Sequence, residues 1–140
     1  MRDAGTQYLN LDTRYSVGIR SFDEQHYHIL VVIDKLFDAI DNKKEQIVIS
    51  SILEDFITQI KNHFICEENL MSSIDYPAFS VHKIMHDTFI RKILLYRRDH
   101  LEGNISFASE RVAFFRRWFK NHILETDKLY ISFFNDHNIN

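Results

Sequence analysis

A single cysteine, Cys66, leaves this chain without a partner for an intrachain disulfide, so an oxidising compartment is not needed. One proline and three glycines in 140 residues argue against a turn-rich β fold and favour long helices. No apolar run approaches the roughly 20 residues that cross a bilayer, and residues 1–10 lack the apolar stretch of a signal peptide. A net charge of only −3 argues against a nucleic-acid binder built on phosphate contacts. The basic clusters Arg97–Arg98 and Arg116–Arg117 with Lys120 read as solvated helix faces. The expectation is a cytoplasmic protein with no membrane insertion and no nucleic-acid partner.

What is present is apolar residues at 45%, enough for one core in a single domain over residues 1–140. Residues 1–21 read as an extended arm, 22–134 as helical and 135–140 as a polar tail. Ile29, Leu30, Ile33, Leu36, Phe37 and Ile40 recur at helical spacing from about Phe22 to Ile40, and His26 begins that stripe. A second helix, from about Glu45 to Ile74, aligns Phe56, Ile60, His63, Glu67 and Met71. Pro77 suits the first turn of a third helix, about Ala78–Leu101, with Phe79, His82, His86, Phe89 and Ile93 inward. A fourth begins near Phe107 and carries Val112, Phe115, Phe119 and His122. Short connections predict an all-α, up-down-up-down antiparallel four-helix bundle.

Polar residues interrupt these apolar faces at regular places. His63 with Glu67, and His82 with His86, are four apart, so each pair shares a helix face with Cβ atoms about 5–6 Å apart. His122 and Asp127 are five apart, about 140° net, so the fourth helix must end or distort between them if both point to one place. A lone histidine such as His26 is more often a hydrogen-bonded core residue than a ligand. A carboxylate on an inward face is harder to dismiss, because burying it unpaired is costly. No Lys or Arg lies on the inward stripes to neutralise Glu67. A metal pair would neutralise it and use the imidazoles. Cys66 points about 100° away from Glu67 and reads as a packed or partly exposed thiol. His28, His100 and His137 fit no spacing and read as surface or helix-end residues.

The order and flanks of these groups (SVGI and FDEQH at 16–26, HFICEENLM at 63–71, YP at 76–77, HKIMH at 82–86, WFKNHILETD at 118–127) resemble the hemerythrin family. The likeness runs from about Tyr15 to Asp127. It implies a non-haem centre of two iron ions bridged by Glu67, Asp127 and an oxide or hydroxide. It assigns His82, His86 and His122 to one iron, and His26 and His63 to the other. With both carboxylates bridging, all but one position of two octahedral ions is filled. Dioxygen is the ligand the resemblance implies for that vacancy. Only two carboxylates are present, fewer than in ferritin-like centres, which favours reversible capture over substrate oxidation.

Ile29, Leu30, Phe64, Trp118 and Phe119 are the expected apolar lining of an oxygen pocket, with no evident proton donor. Phe119 stands where the family usually has leucine, and Leu11 where many bacterial members have tryptophan. The expected function is reversible dioxygen binding for storage, delivery or scavenging, by a protein that is not an enzyme. The alternatives are a di-iron redox enzyme acting on peroxide or nitric oxide, an oxygen-sensing module acting through a separate protein partner, or iron storage. The ligand types alone leave iron, manganese and zinc open.

Overall fold

The computed structural model describes residues 13–137 and 139. The expected arm falls mostly on residues 1–12, and Leu11 with it, outside the described residues. Thr13–Tyr15 form a short 3-10 turn rather than an extended segment. Four long helices follow: α1 (Arg20–Asp41), α2 (Gln46–Ser73), α3 (Phe79–Leu101) and α4 (Ala108–Glu125). A 3-10 turn (Asp127–Tyr130) and a short helix α5 (Ile131–Asp136) complete the described chain. The fold is an all-α four-helix bundle. Helix α1 packs against α2 and α4, and α2 against α3. Helices α3 and α4 meet through large rings, with Phe89 stacked on Trp118 at 3.8 Å.

The turns show how a chain poor in glycine ends its helices. Lys43, Asp75 and Gly103 each adopt positive φ just past α1, α2 and α3. Each is followed by a residue whose N–H reaches back five positions: Lys44 to Ala39, Tyr76 to Met71 and Asn104 to Asp99. This closure satisfies helix-end carbonyls. Only the third uses the glycine that the conformation favours. Pro77 lies in the turn before α3, not in its first turn.

At the entry to α1, Asp23 accepts hydrogen bonds from the Val17 N–H (2.8 Å) and the Ser16 hydroxyl (2.7 Å). That tie starts α1 two residues earlier than its apolar stripe suggests and holds Val17 and Ile19 in the core.

The core is continuous along the bundle, from Phe22 and Met71 at one end to Ile49 and Tyr96 at the other. The surface clusters behave as solvated faces with partners: Arg97 pairs with Glu54 and Arg116 with Asp34. Each exposed pair contributes little, about 0–1 kcal/mol. No helix among the described residues is long and apolar enough to cross a membrane.

Candidate metal centre

Antiparallel helices bring opposite ends together. His26 lies near the start of α1, His63 and Glu67 near the end of α2, His82 and His86 near the start of α3, and His122 near the end of α4. Up-down topology therefore gathers them at one end of the bundle. Helix α4 stops at Glu125, Thr126 adopts φ −108°, and Asp127 opens a 3-10 turn. That break turns Asp127 back toward His122, as the five-residue spacing requires. All seven side chains are buried, none more than 5% exposed. His82 and Asp87 share the same five-residue spacing, but Asp87 pairs at the surface with Lys83 (2.9 Å).

The side chains form two groups that share both carboxylates. One is His82, His86, His122, Glu67 and Asp127; the other is His26, His63, Glu67 and Asp127. Glu67 turns Oε1 toward His82 (3.6 Å) and His86 (3.2 Å), and Oε2 toward His26 (3.6 Å) and His63 (3.1 Å). Asp127 turns Oδ1 toward His82 (2.9 Å) and His122 (3.0 Å), and Oδ2 toward His26 (3.5 Å). Each carboxylate thus offers one oxygen to each group.

The donor set fits metal ions on two counts. Nε2 of His122 lies 3.2 Å from Nε2 of both His82 and His86, near the spacing of about 3 Å between adjacent ligands whose bonds to one ion are about 2.1 Å. Both nitrogens of His26, Nε2 of His63, Oε1 of Glu67 and both oxygens of Asp127 are buried without a hydrogen-bond partner. Buried polar atoms are rarely left so, and cations would satisfy them.

Neighbours fix the rings. His63 Nδ1 donates to Gln25 Oε1 (2.5 Å), and His86 Nδ1 donates to Glu68 Oε2 (2.8 Å), which aims both Nε2 atoms inward. Phe64 stacks on His86 at 3.7 Å, and Trp118 on His122 at 4.6 Å. Phe119, fully buried, meets His26 and His63 edge-on at 5.5 and 6.3 Å. Of the expected pocket residues, then, Phe64 and Trp118 stack on the three-histidine group, while Phe119 faces the two-histidine group. Ile29 and Leu30 are buried on α1. Ile29 also lines a groove of about 460 Å³ between α1 and α2 that reaches Gln25 and His63 past Lys35, Gln59 and Asn62. The approach to His63 is more polar than an all-apolar lining.

Gln25 and Glu68 stand within the quoted motifs and Tyr130 beyond them, and sequence reasoning gave none of the three a role. The buried Tyr130 hydroxyl donates to Glu67 Oε2 at 2.8 Å, supplying the proton donor that the sequence did not reveal. Its signal was the step of three from Asp127, since side chains three apart eclipse in a 3-10 turn. His100 takes the helix-end place expected of it. It sits at the end of α3 but is buried, bonded to the Ser50 hydroxyl at 2.9 Å, at the far end of the bundle. Cys66 is exposed.

The electrostatics favour ligation. Burial opposes ionising Glu67, but the field of His63 and the close imidazoles of His26 and His82 hold its pKa well below the usual carboxylate range. Asp127 is lowered too: burial and the Glu67 charge oppose ionisation, and His122 and His82 outweigh them. Burial keeps His63 below its ordinary value despite Glu67. Burial also acts against charging His82, but the nearby Asp127 and Glu67 carboxylates push its pKa up to about 9. Burial and the Glu67 and Asp127 charges raise Tyr130 well above its usual value, so it stays a donor.

Without metal, His82 therefore carries a proton at neutral pH. Its folded pKa lies above its ordinary 6.5, so its contribution to stability is complete below about pH 6.5 and fades as pH rises through about 9. The metal-free protein is expected to lose Tm steadily across that window, and a Tm that is flat or rising there contradicts the assignment. Metal must displace that proton, so loading at pH 7 is expected to release acid into the buffer.

The comparisons with known proteins agree with this architecture. A family model described as the hemerythrin HHE cation binding domain matches residues 17–134. The chain belongs to the hemerythrin family. It is bacteriohemerythrin-like. It is 33% identical to a bacteriohemerythrin of Pseudomonas aeruginosa over 83% of this chain and 74% of that one. It is 29% identical to that of Clostridium acetobutylicum over 84% and 94%, respectively. A solved wild-type hemerythrin superposes with a TM-score of 0.76 at 28% identity, covering 81% of this chain and 87% of that one.

Proposed function

We propose that the seven residues hold two iron ions and that the protein binds dioxygen reversibly in the cytoplasm, for storage, delivery or scavenging. The observation that carries this reading is the pair of shared carboxylates, each offering one oxygen to a three-histidine group and one to a two-histidine group. Mixed imidazole and carboxylate donors suit iron. A di-iron centre bound there supplies two electrons to dioxygen and recovers them on release.

The protein's own residues set the conditions for that exchange. The group with fewer imidazoles, His26 and His63, is the one with room for a small ligand. Phe119 and Phe22 press against its rings and restrict water there. Tyr130 fixes Glu67 Oε2, the oxygen facing that group, by a hydrogen bond that keeps its proton off the carboxylate. The expected stoichiometry is two irons and one dioxygen per chain, with the dioxygen returned under vacuum. Iron analysis with an oxygen electrode checks it, and iron well above two per chain would point instead to storage.

Tyr130 also supports a second reading, a redox enzyme acting on peroxide or nitric oxide, because a buried phenol bonded to the shared Glu67 carboxylate is a candidate proton donor. Sustained turnover of either substrate, abolished in Tyr130→Phe, would favour that reading over a carrier.

A further inference from the structure

His63 and His86 are matched in almost every respect. Both are buried, both turn Nε2 into the cluster, and both donate through Nδ1 to a residue beside another ligand in the sequence. Gln25 precedes His26 on α1 and reaches across to His63 on α2. Glu68 follows Glu67 on α2 and reaches across to His86 on α3. The two acceptors differ by a full charge.

We propose that this difference makes the two metal positions unequal. The Glu68 carboxylate makes the three-histidine position the tighter one and the one that better stabilises the higher oxidation state. The neutral Gln25 amide leaves the two-histidine position weaker and more easily kept reduced. The inference rests on the metal-binding reading above.

The physical basis is the charge behind each imidazole. A carboxylate accepting from Nδ1–H raises the basicity of the nitrogen that faces the metal, and loss of such partners typically lowers metal affinity 10–100-fold. An amide oxygen accepts more weakly than an ionised one. The Glu68 side chain, 16% exposed, lies 3.8 Å from Lys83 Nζ, which is itself paired with Asp87. Phe64, parallel to His86 within 2°, keeps the ring from swinging out of line with Glu68. On the other side no charged acceptor appears. His26 Nδ1 has no partner among the described residues, and His63 has only the amide. A single oxidation of the reduced protein by ferricyanide therefore removes its electron from the three-histidine position, leaving the two-histidine position reduced.

Anaerobic titration of the metal-free protein with cobalt(II) tests the affinity claim. Wild type is expected to bind in two phases. Glu68→Gln should weaken the tighter phase about 10–100-fold with the weaker unmoved. Gln25→Glu should tighten the weaker phase, and Glu68→Asp should largely restore wild-type behaviour. Stepwise oxidation of the iron-loaded protein gives a readout that a structural role would not move. The first potential should rise in Glu68→Gln, and the second should fall in Gln25→Glu. Both phases shifting together, or neither shifting in a protein that still binds two cobalt ions, overturns the inference alone. A wild type that binds fewer than two overturns it together with the metal-centre reading.

Discussion

Glu67→Gln is expected to cost the protein at least one of its two metals. The substitution keeps size and shape but turns one of two shared oxygens into an amide nitrogen that donates rather than accepts. Glu67 serves both histidine groups, so at least one of them loses its carboxylate oxygen. Iron should fall from two per chain to one at most, and dioxygen uptake should disappear. Stability gives a second readout. A ligand present at 100 times its Kd adds about 2.7 kcal/mol to the folded state, and the variant should lose that metal-linked gain. The metal-free variant should also melt below metal-free wild type, because the histidines that hold Glu67 ionised lose their partner. Iron analysis and paired melting curves check this. A variant that retains two irons would show that Glu67 is not a bridge.

Phe119→Leu is expected to have the next largest effect, on the rate at which bound dioxygen is lost. The Phe119 ring is fully buried and edge-on to both His26 and His63. Leucine is smaller and leaves space beside the two-histidine group, which a groove already reaches at His63. Lost packing of about 1–2 kcal/mol corresponds to roughly tenfold in a rate if it is expressed in the barrier to ligand escape. Oxygen release and autoxidation should both quicken by about that factor, while iron stays at two per chain. Stopped-flow release and the decay of the oxygenated form measure it. Unchanged rates would remove Phe119 from gating and leave it a packing residue.

The fold was legible because binary patterning fixes a bundle. Stripes such as Ile29–Ile33–Leu36 and Phe56–Ile60–His63 each define one inward face, and short turns leave antiparallel neighbours as the simple arrangement. The seven-residue cluster was legible because pairs four apart share a face and because the five-residue step to Asp127 demanded a helix break, which Thr126 provides. What the sequence hid depends on contacts between helices. Gln25 and Glu68 are ordinary polar residues until α1 meets α2 and α2 meets α3. Tyr130 gained its role from a 3-10 turn whose pitch no apolar stripe encodes. The His100–Ser50 pair joins residues 50 apart in sequence. Phe64 and Trp118 were expected in the oxygen pocket, Phe64 beside His63 and Trp118 one turn before His122. Their stacking is on His86 and His122, although Phe64 also lies 6.0 Å from His63.

The most direct test of reversible dioxygen binding at a di-iron centre is the visible absorption of anaerobically iron-loaded protein, followed through oxygen addition and removal. A charge-transfer band that appears with oxygen, vanishes under vacuum and returns on the next cycle is the expected result. A single irreversible change to a diferric spectrum, with no band recovered on cycling, would contradict it.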